Sequence, residues 1–389
     1  MSNLKVEKYI VIIAGEVSGD NLGASLMSQL IEKNKNITFR GVGGPKMRAL
    51  GLKSIISFED IAITGITEII PKIPLLLRHL STLKNNIINH QTDLLITIDS
   101  PDFNFRLARK VCGNNFPIIH YVAPSVWAWR PGRAKKISIL FDHLFTLYPF
   151  ENFYFEKVGL RSTYVGNPIV FNWVNGDGLN FRQKYLIESN DKVILLLPGS
   201  RSNEIKTLMP VFLQTIYEII NYYDDGLKVF CLVPDYLKSK CEEIILNHSV
   251  FLSKKITFVS SEEKQNLFAA SNLAIAASGT VNLELALEKV PTIVTYKLNY
   301  ITYFIAKLLI KTKWISIVNI IFQDDIYSEF IQSKCNSKAL SKEIKSMFAS
   351  PIFFKNKINE LKKIDSLFFN KHSSNEFAAR NIVLKYLEE

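Results

Sequence analysis

Tyr9-Ile10-Val11-Ile12-Ile13-Ala14-Gly15-Glu16-Val17-Ser18-Gly19-Asp20 decides how the rest of the chain is read. The apolar run from Tyr9 to Ala14 lacks polar alternation, which is the pattern of a parallel strand buried on both faces. It stops at glycine, and a helical pattern follows over Leu22 to Lys33. Strand, glycine turn and helix make the first half of a βαβ unit, whose ligands bind at the carboxyl ends of the strands. The turn is neither GxGxxG nor a P-loop, so it names no nucleotide by itself.

Similar runs recur at Ile37–Val42, Leu94–Asp99, Pro117–Val122 and His143–Leu147, then at Val193–Leu197, Lys228–Val233, Ile256–Val259, Leu273–Ala276 and Pro291–Val294. Helical stretches separate them, among them Leu75–Ile88 and Phe103–Cys112. The expected fold class is therefore α/β, with two doubly wound Rossmann-like domains facing a cleft. The glycines and proline between Val165 and Leu179 suggest a connection. We expect an N-terminal domain over 1–168, a linker over 169–182, and a C-terminal domain over 183–365. Residues 366–389 carry apolar side chains at helical spacing and should pack back on the N-terminal domain.

The 389 residues are 48% hydrophobic and 21% charged, which excludes a disordered chain and suits two packed domains. Lysine and arginine number 47 against 36 acidic residues, a formal charge of +11. An excess of that sign suits an anionic partner: nucleic acid, a phosphate-bearing substrate, or an acidic membrane surface. The four cysteines form no CxxC pair, so neither a zinc knuckle nor a disulfide framework is expected. The greasy stretch Tyr300–Phe322 is interrupted by Lys307, Lys311 and Lys313, and no segment reads as a clean membrane span.

Candidate chemistry sits on the strand-end turns. Glu16, at the end of the first strand, can accept hydrogen bonds from substrate hydroxyls, and Ser18 and Asp20 are either cleft residues or helix caps. Asp99 closes the strand Leu94–Ile98 and can take a proton from an attacking hydroxyl, whereas Asp102 opens the next helix and reads as a cap. Trp127, Trp129 and Arg130 lie in a run of aromatic and basic residues that suits an amphipathic phosphorylated ligand, single-stranded nucleic acid, or core packing. His120 reads as a core histidine. In the second half, Gly199-Ser200-Arg201 follows one strand, and Arg201 can hold a diphosphate bidentately. Ser278-Gly279-Thr280 follows another, with N–H groups that suit phosphate and with Glu284 one turn on for ribose hydroxyls. Finally, Ile66, Ile69, Ile73, Leu76, Leu77, Leu80, Leu83 and Ile87 form one apolar helical face, widened by Leu75 and accompanied by Lys72, Arg78 and Lys84. Most of that stripe should be core; its surplus, at Ile69, Ile73, Leu75 and Leu76, suits a membrane interface.

Taken together, AGEVSGD at 14–20, GVGGPKM at 41–47, IDSPDFN at 98–104, HYVAPSVWAWRPGR at 120–133, LPGSRSNEI at 197–205 and ASGTVNLE at 277–284 resemble the lipid-A-disaccharide synthase family, inverting glycosyltransferases of the B-type fold. The resemblance implies transfer of 2,3-diacylglucosamine from UDP to 2,3-diacylglucosamine 1-phosphate, giving a β-1,6 disaccharide and UDP in lipid A biosynthesis. It further implies a cytoplasmic enzyme held peripherally at an anionic inner-membrane surface, with no cofactor, metal or nucleic acid, and an oligomeric state left open between monomer and homodimer. It implies that the N-terminal domain binds the acceptor and the C-terminal domain the UDP-sugar. It places Asp99 as general base, Arg201 on the diphosphate, and Glu16 and Asn319 in the catalytic set. The chain departs from the family pattern in two places. Val165-Gly166-Asn167-Pro168 has asparagine where the family has histidine, and Ile317-Val318-Asn319 replaces Leu-Pro-Asn, with no glycine-arginine pair after it. Another UDP-sugar transferase or epimerase of this fold, or a non-catalytic binder of anionic lipid or nucleic acid, remains an alternative.

Overall fold

The computed structural model describes residues 7–61, 72–128, 130–220, 222–223, 226–299, 303–304, 307, 309–310, 312–368 and 374–387. The chain divides into two units, one of Met1–Phe171 with Asn370–Glu389 and the other of Asn172–Phe369. The division after Phe171 falls three residues beyond the expected 168. The expected linker over 169–182 is largely helical, since Pro168–Phe171 ends the first unit and Gly178–Lys184 starts the second. Asp177 caps that second helix by accepting from the Asn180 N–H at 2.9 Å.

In the first unit the strands are β1 Lys8–Ala14, β2 Ile37–Val42, β3 Lys53–Ser54, β4 Leu94–Ile98, β5 Ile118–Tyr121, β6 His143–Thr146 and β7 Ser162–Tyr164. They form one sheet in the order β3-β2-β1-β4-β5-β6-β7, every neighbouring pair parallel. In the second unit β8 Lys192–Leu197, β9 Leu227–Cys231, β10 Ile256–Phe258, β11 Leu273–Ala277, β12 Thr292–Tyr296 and β13 Ser328–Ile331 take the order β10-β9-β8-β11-β12-β13, again all parallel. The order reverses between β1 and β4 in one sheet and between β8 and β11 in the other. At such switch points adjacent connections leave on opposite faces and open a crevice.

The missing alternation in the strands has its cause in burial on both faces. Val11 and Ile13 join a core with Leu80, Leu83 and Ile87, while Ile10, Ile12 and Ala14 pack on the other side with Leu26, Met27 and Leu30. In the second unit, Ile194 and Leu196 meet Leu208, Phe212 and Ile216 of the helix Ser202–Ile220. Val193, Leu195 and Leu197 face Phe181, Leu267 and Phe268. The C-terminal helix Ser374–Ile382 lies on the helix Val17–Lys33 of the first unit. Asn375 ties it there, accepting from the Tyr121 hydroxyl at 3.1 Å and donating to Ser25 Oγ at 2.9 Å.

Candidate active site

The first switch point is built from glycine and strain. A Cβ on Gly15 would stand 2.6 Å from Ser100 Oγ, so only glycine lets the turn after β1 meet the turn after β4. Asp99 and Ser100 are both left-handed, with φ of 49° and 43°. Two successive non-glycine residues in that region persist only when the surroundings hold them. Buried Asn104 supplies the hold, donating through Nδ2 to the carbonyls of Ile98 at 3.1 Å and Asp99 at 2.7 Å. The Asp99 N–H also donates to the Tyr121 carbonyl at 2.9 Å.

Glu16 stands at the same junction, with the Ser100 hydroxyl 3.4 Å from its Oε1. Burial raises the pKa of Asp99 above the ordinary carboxylate range. Burial, and then the charge of Asp99, does the same to Glu16. Neighbouring carboxyls whose pKa values are both raised can serve as a general base and as an acceptor for a hydroxyl.

Beside this pair lies an apolar cavity of about 300 Å³. Ile61, Ile73, Leu76, Leu77, Leu80 and Phe103 line it, together with Glu16, Ser100, Asp102 and Arg106. The helix Ile73–Asn89 thus divides its stripe three ways. Leu80, Leu83 and Ile87 are core, Leu76 and Leu80 wall the cavity from within, and Ile73 and Leu77 wall it while staying 45% and 48% exposed. Leu75 is half-buried. Ile66 and Ile69 lie outside the described residues.

Several expected roles are corrected by the geometry. Asp20 is buried, and its carboxylate accepts from the N–H groups of Lys46 and Met47, each at 3.1 Å. It caps the helix Pro45–Ala49 instead of lining a cleft, which accounts for the glycines of GVGGPKM. A Cβ on Gly44 would meet Asp20 Oδ2 at 2.6 Å, and one on Gly41, at φ 145°, would meet the Ile12 carbonyl at 1.9 Å. Ser18 is exposed on the first turn of Val17–Lys33. Asp102 pairs with Arg133 at 3.1 Å.

The tryptophan run forms a loop after β5 in which Val122 and Arg130 have φ of 79° and 54°. Arg130 is exposed, and Trp129 lies outside the described residues. Trp127 Nε1 donates to Glu151 Oε1 at 3.2 Å, and Glu151 Oε2 accepts from the N–H groups of Leu147 and Tyr148 at 3.0 Å. Burial lifts Glu151 to about 7 despite those three donors. His120 is a core residue, held neutral by burial and hydrogen-bonded to Thr97 Oγ1 at 2.8 Å.

The second switch point carries a cavity of about 580 Å³, in which Gly199, Ser200 and Arg201 meet Ser278, Gly279, Thr280 and Glu284. Gly199 has φ 125°, and a Cβ there would strike Glu204 Oε2 at 2.4 Å. That oxygen accepts from the Ser200 N–H at 2.9 Å and the Arg201 N–H at 3.2 Å, fixing the turn. The Arg201 side chain is 81% exposed, its Nη1 3.5 Å from Glu204 Oε1. Glu284 forms a 2.8 Å ion pair with Lys264, which also lines the cavity.

Two expectations change here. Ser278 donates its N–H to Thr295 and its hydroxyl to Ile315, at 3.0 and 2.9 Å, so it has no N–H left for phosphate. Gly279 and Thr280 remain as donors on that turn. Asn319 is fully buried: Nδ2 donates to the Tyr327 carbonyl at 2.8 Å and to Glu329 Oε1 at 2.9 Å, and Oδ1 accepts from the Tyr327 N–H at 2.8 Å. It is a bracket within the unit, with no atom to offer a substrate.

Sequence reasoning left out Ser100, Asn104, Lys264 and Glu204 as site residues. Glu204, four residues after Ser200, carried a readable signal as an acidic residue entering a helix behind a glycine turn. Lys264 carried none, because 20 residues separate it from the glutamate it pairs with.

The model of the lipid-A-disaccharide synthetase family matches residues 10–382. The chain belongs to that family. It is 37% identical over 384 residues to the lipid-A-disaccharide synthase of Rickettsia typhi, covering 97% of this chain and 98% of the relative. It is 38% identical over 346 residues to the synthase of Rhodospirillum centenum, covering 88% and 85%. A UDP-GlcNAc 2-epimerase structure from Neisseria meningitidis, bound to UDP-GlcNAc, superposes with a TM-score of 0.60 at 11% identity, covering 99% of this chain and 100% of that one. A glycosyltransferase structure from Rickettsia africae gives 0.57 at 15%, covering 98% of each chain. These superpositions establish the two-domain Rossmann-like architecture that this synthetase-family chain shares with UDP-sugar enzymes.

Proposed function

We propose that this chain transfers 2,3-diacylglucosamine from UDP to the 6-hydroxyl of 2,3-diacylglucosamine 1-phosphate. Family membership makes it a hexosyltransferase of lipid A biosynthesis. The observation that carries the finer reading is the apolar cavity opening beside Glu16 and Ser100, because a sugar acceptor without acyl chains has no use for it. At about 30 Å³ for a group the size of a water or a methylene, its volume suits roughly ten chain atoms.

In this reading Asp99 takes the proton of the acceptor hydroxyl as the oxygen attacks the anomeric carbon. The new carbon–oxygen bond forms while the bond to UDP breaks, with inversion. Arg201, with the N–H groups of Gly279 and Thr280, holds the diphosphate and the charge that develops on it. Glu284 and Lys264 offer a carboxylate and an ammonium to the nucleoside half. Glu16 hydrogen-bonds the acceptor and keeps Asp99 in a carboxyl-rich setting.

Among the described residues no helix is long and apolar enough to cross a membrane. Exposed Ile73 and Leu77, between Lys72 and Arg78, support peripheral attachment to an anionic bilayer at the cytoplasmic face of the inner membrane. The deciding experiment incubates the protein with UDP-2,3-diacylglucosamine and 2,3-diacylglucosamine 1-phosphate and reads the disaccharide by mass spectrometry. Turnover of non-acylated UDP-N-acetylglucosamine to the 2-epimer instead would overturn the reading.

A further inference from the structure

We infer that the acyl chains of the donor lie in a second cavity of the C-terminal unit, at the carboxyl ends of β12 and β13. This rests on the reading above that the donor is UDP-diacylglucosamine. The cavity measures about 620 Å³, more than the nucleotide cavity beside it. Tyr296, Leu298, Tyr303, Ile310, Trp314 and Ile331 give it an aromatic and aliphatic wall, and Asp325 and Glu329 bring carboxylates to its edge.

The two cavities share a partition. Ser278 lines the nucleotide cavity and donates its hydroxyl to the carbonyl of Ile315, which lines the second one, at 2.9 Å. A ligand whose diphosphate sits at Gly279 and Thr280 therefore has this chamber just across the Ser278–Ile315 hydrogen bond. The partition is fixed in place: Glu329 accepts from the N–H groups of Ile315 and Ser316 at 3.0 and 2.9 Å and from Asn319 Nδ2 at 2.9 Å, and Asn319 grips Tyr327 just before β13. Asn319 thereby acts as a positioning residue for the chamber wall. Lys307 and Lys334 also line the cavity, and neither has a carboxylate partner among the described residues. The aromatic and aliphatic part of the wall suits acyl chains, and these two lysines suit the anionic nucleotide sugar that carries them.

The test compares binding of UDP, UDP-N-acetylglucosamine and UDP-2,3-diacylglucosamine to the full chain in detergent micelles, by calorimetry. The wild type should bind the acylated donor at least tenfold more tightly than UDP-N-acetylglucosamine. Ser333→Trp fills the chamber from an exposed wall position, and Ile310→Asp places a charge on a wall residue that is 42% exposed. Either change, with UDP binding intact as the control for folding, should erase the tenfold advantage. Retention of the advantage by both variants, or its absence in the wild type, overturns the inference. Failure of the wild type to bind UDP at all removes the donor reading itself and the inference with it.

Discussion

Asp20→Ala separates a structural reading of the first motif from a catalytic one. The carboxylate is 3% exposed, and both of its oxygens are committed to main-chain N–H groups at the start of Pro45–Ala49. Hydrogen bonds to a charged acceptor contribute about 1.5–3 kcal/mol each, and a lost helix cap costs about 1 kcal/mol. Water entering the vacated space recovers part of this, so the net loss should be roughly 3 kcal/mol. Asp20→Asn keeps one acceptor oxygen and should lose about half as much. Gly44→Ala should approach the alanine variant, because its new Cβ displaces the same carboxylate. At about 1.4 kcal/mol per factor of ten, 3 kcal/mol corresponds to roughly a hundredfold faster hydrogen exchange at the amides of Lys46 and Met47. Exchange mass spectrometry of the peptide spanning 41–55 reads this directly, and turnover per folded molecule should stay within a fewfold of wild type. A hundredfold loss of turnover with unchanged exchange in that peptide would refute the reasoning and return Asp20 to the chemistry.

Three further outcomes are expected. Asp99→Asn should lower turnover by about 10² to 10⁴ while UDP affinity is unchanged. Because burial raises Asp99, the wild-type rate should fall with decreasing pH at a limb above the ordinary carboxylate range, and a limb unmoved in Asp99→Asn would assign it elsewhere. Glu151 is raised to about 7 from an unfolded value of 4.5, so the folded state binds its proton more tightly. Its contribution to stability is complete below pH 4.5 and is lost as pH rises through 7, roughly 3 kcal/mol at most. Urea unfolding at pH 5 and 8 should show that slope in wild type and a flatter one in Glu151→Gln. Changing exposed Ile73 and Leu77 to serine should reduce recovery with anionic vesicles while leaving Tm nearly unchanged. Undiminished recovery would place the attachment elsewhere.

The fold was legible because its cause is local. Two-sided burial leaves strands such as Leu94–Ile98 and Leu273–Ala277 without a polar residue outside the sheet interior, and glycine marks the turns. The strands that escaped, β3, β7 and β13, are edge strands of two to four residues with no fully buried position. The strand-end turns at Gly15, Asp99 and Gly199 were legible because each is local, a strand end meeting a glycine or an acid. Site residues were not legible where a partner comes from a distant turn. Asp20 and Asn319 look like site residues in a motif, but the acceptors and donors they serve, at 46–47 and 327–329, are invisible to spacing alone.

The two switch points show how one topology is given opposite chemistry. At β1 and β4 the strand ends carry Glu16 and Asp99, acids whose own burial makes them hold protons, and the adjoining space is apolar. At β8 and β11 the strand ends carry glycine turns, an exposed arginine and an ion-paired glutamate and lysine, all of which line the adjoining space. A proton acceptor must be poorly solvated to be basic enough, whereas a diphosphate must find donors already oriented before it arrives. No single crevice serves both needs well, because the arginine that holds a diphosphate would lower the pKa of a neighbouring aspartate. Here the two sets of groups stand on separate sheets, Glu16 and Asp99 on the first and Arg201, Glu284 and Lys264 on the second.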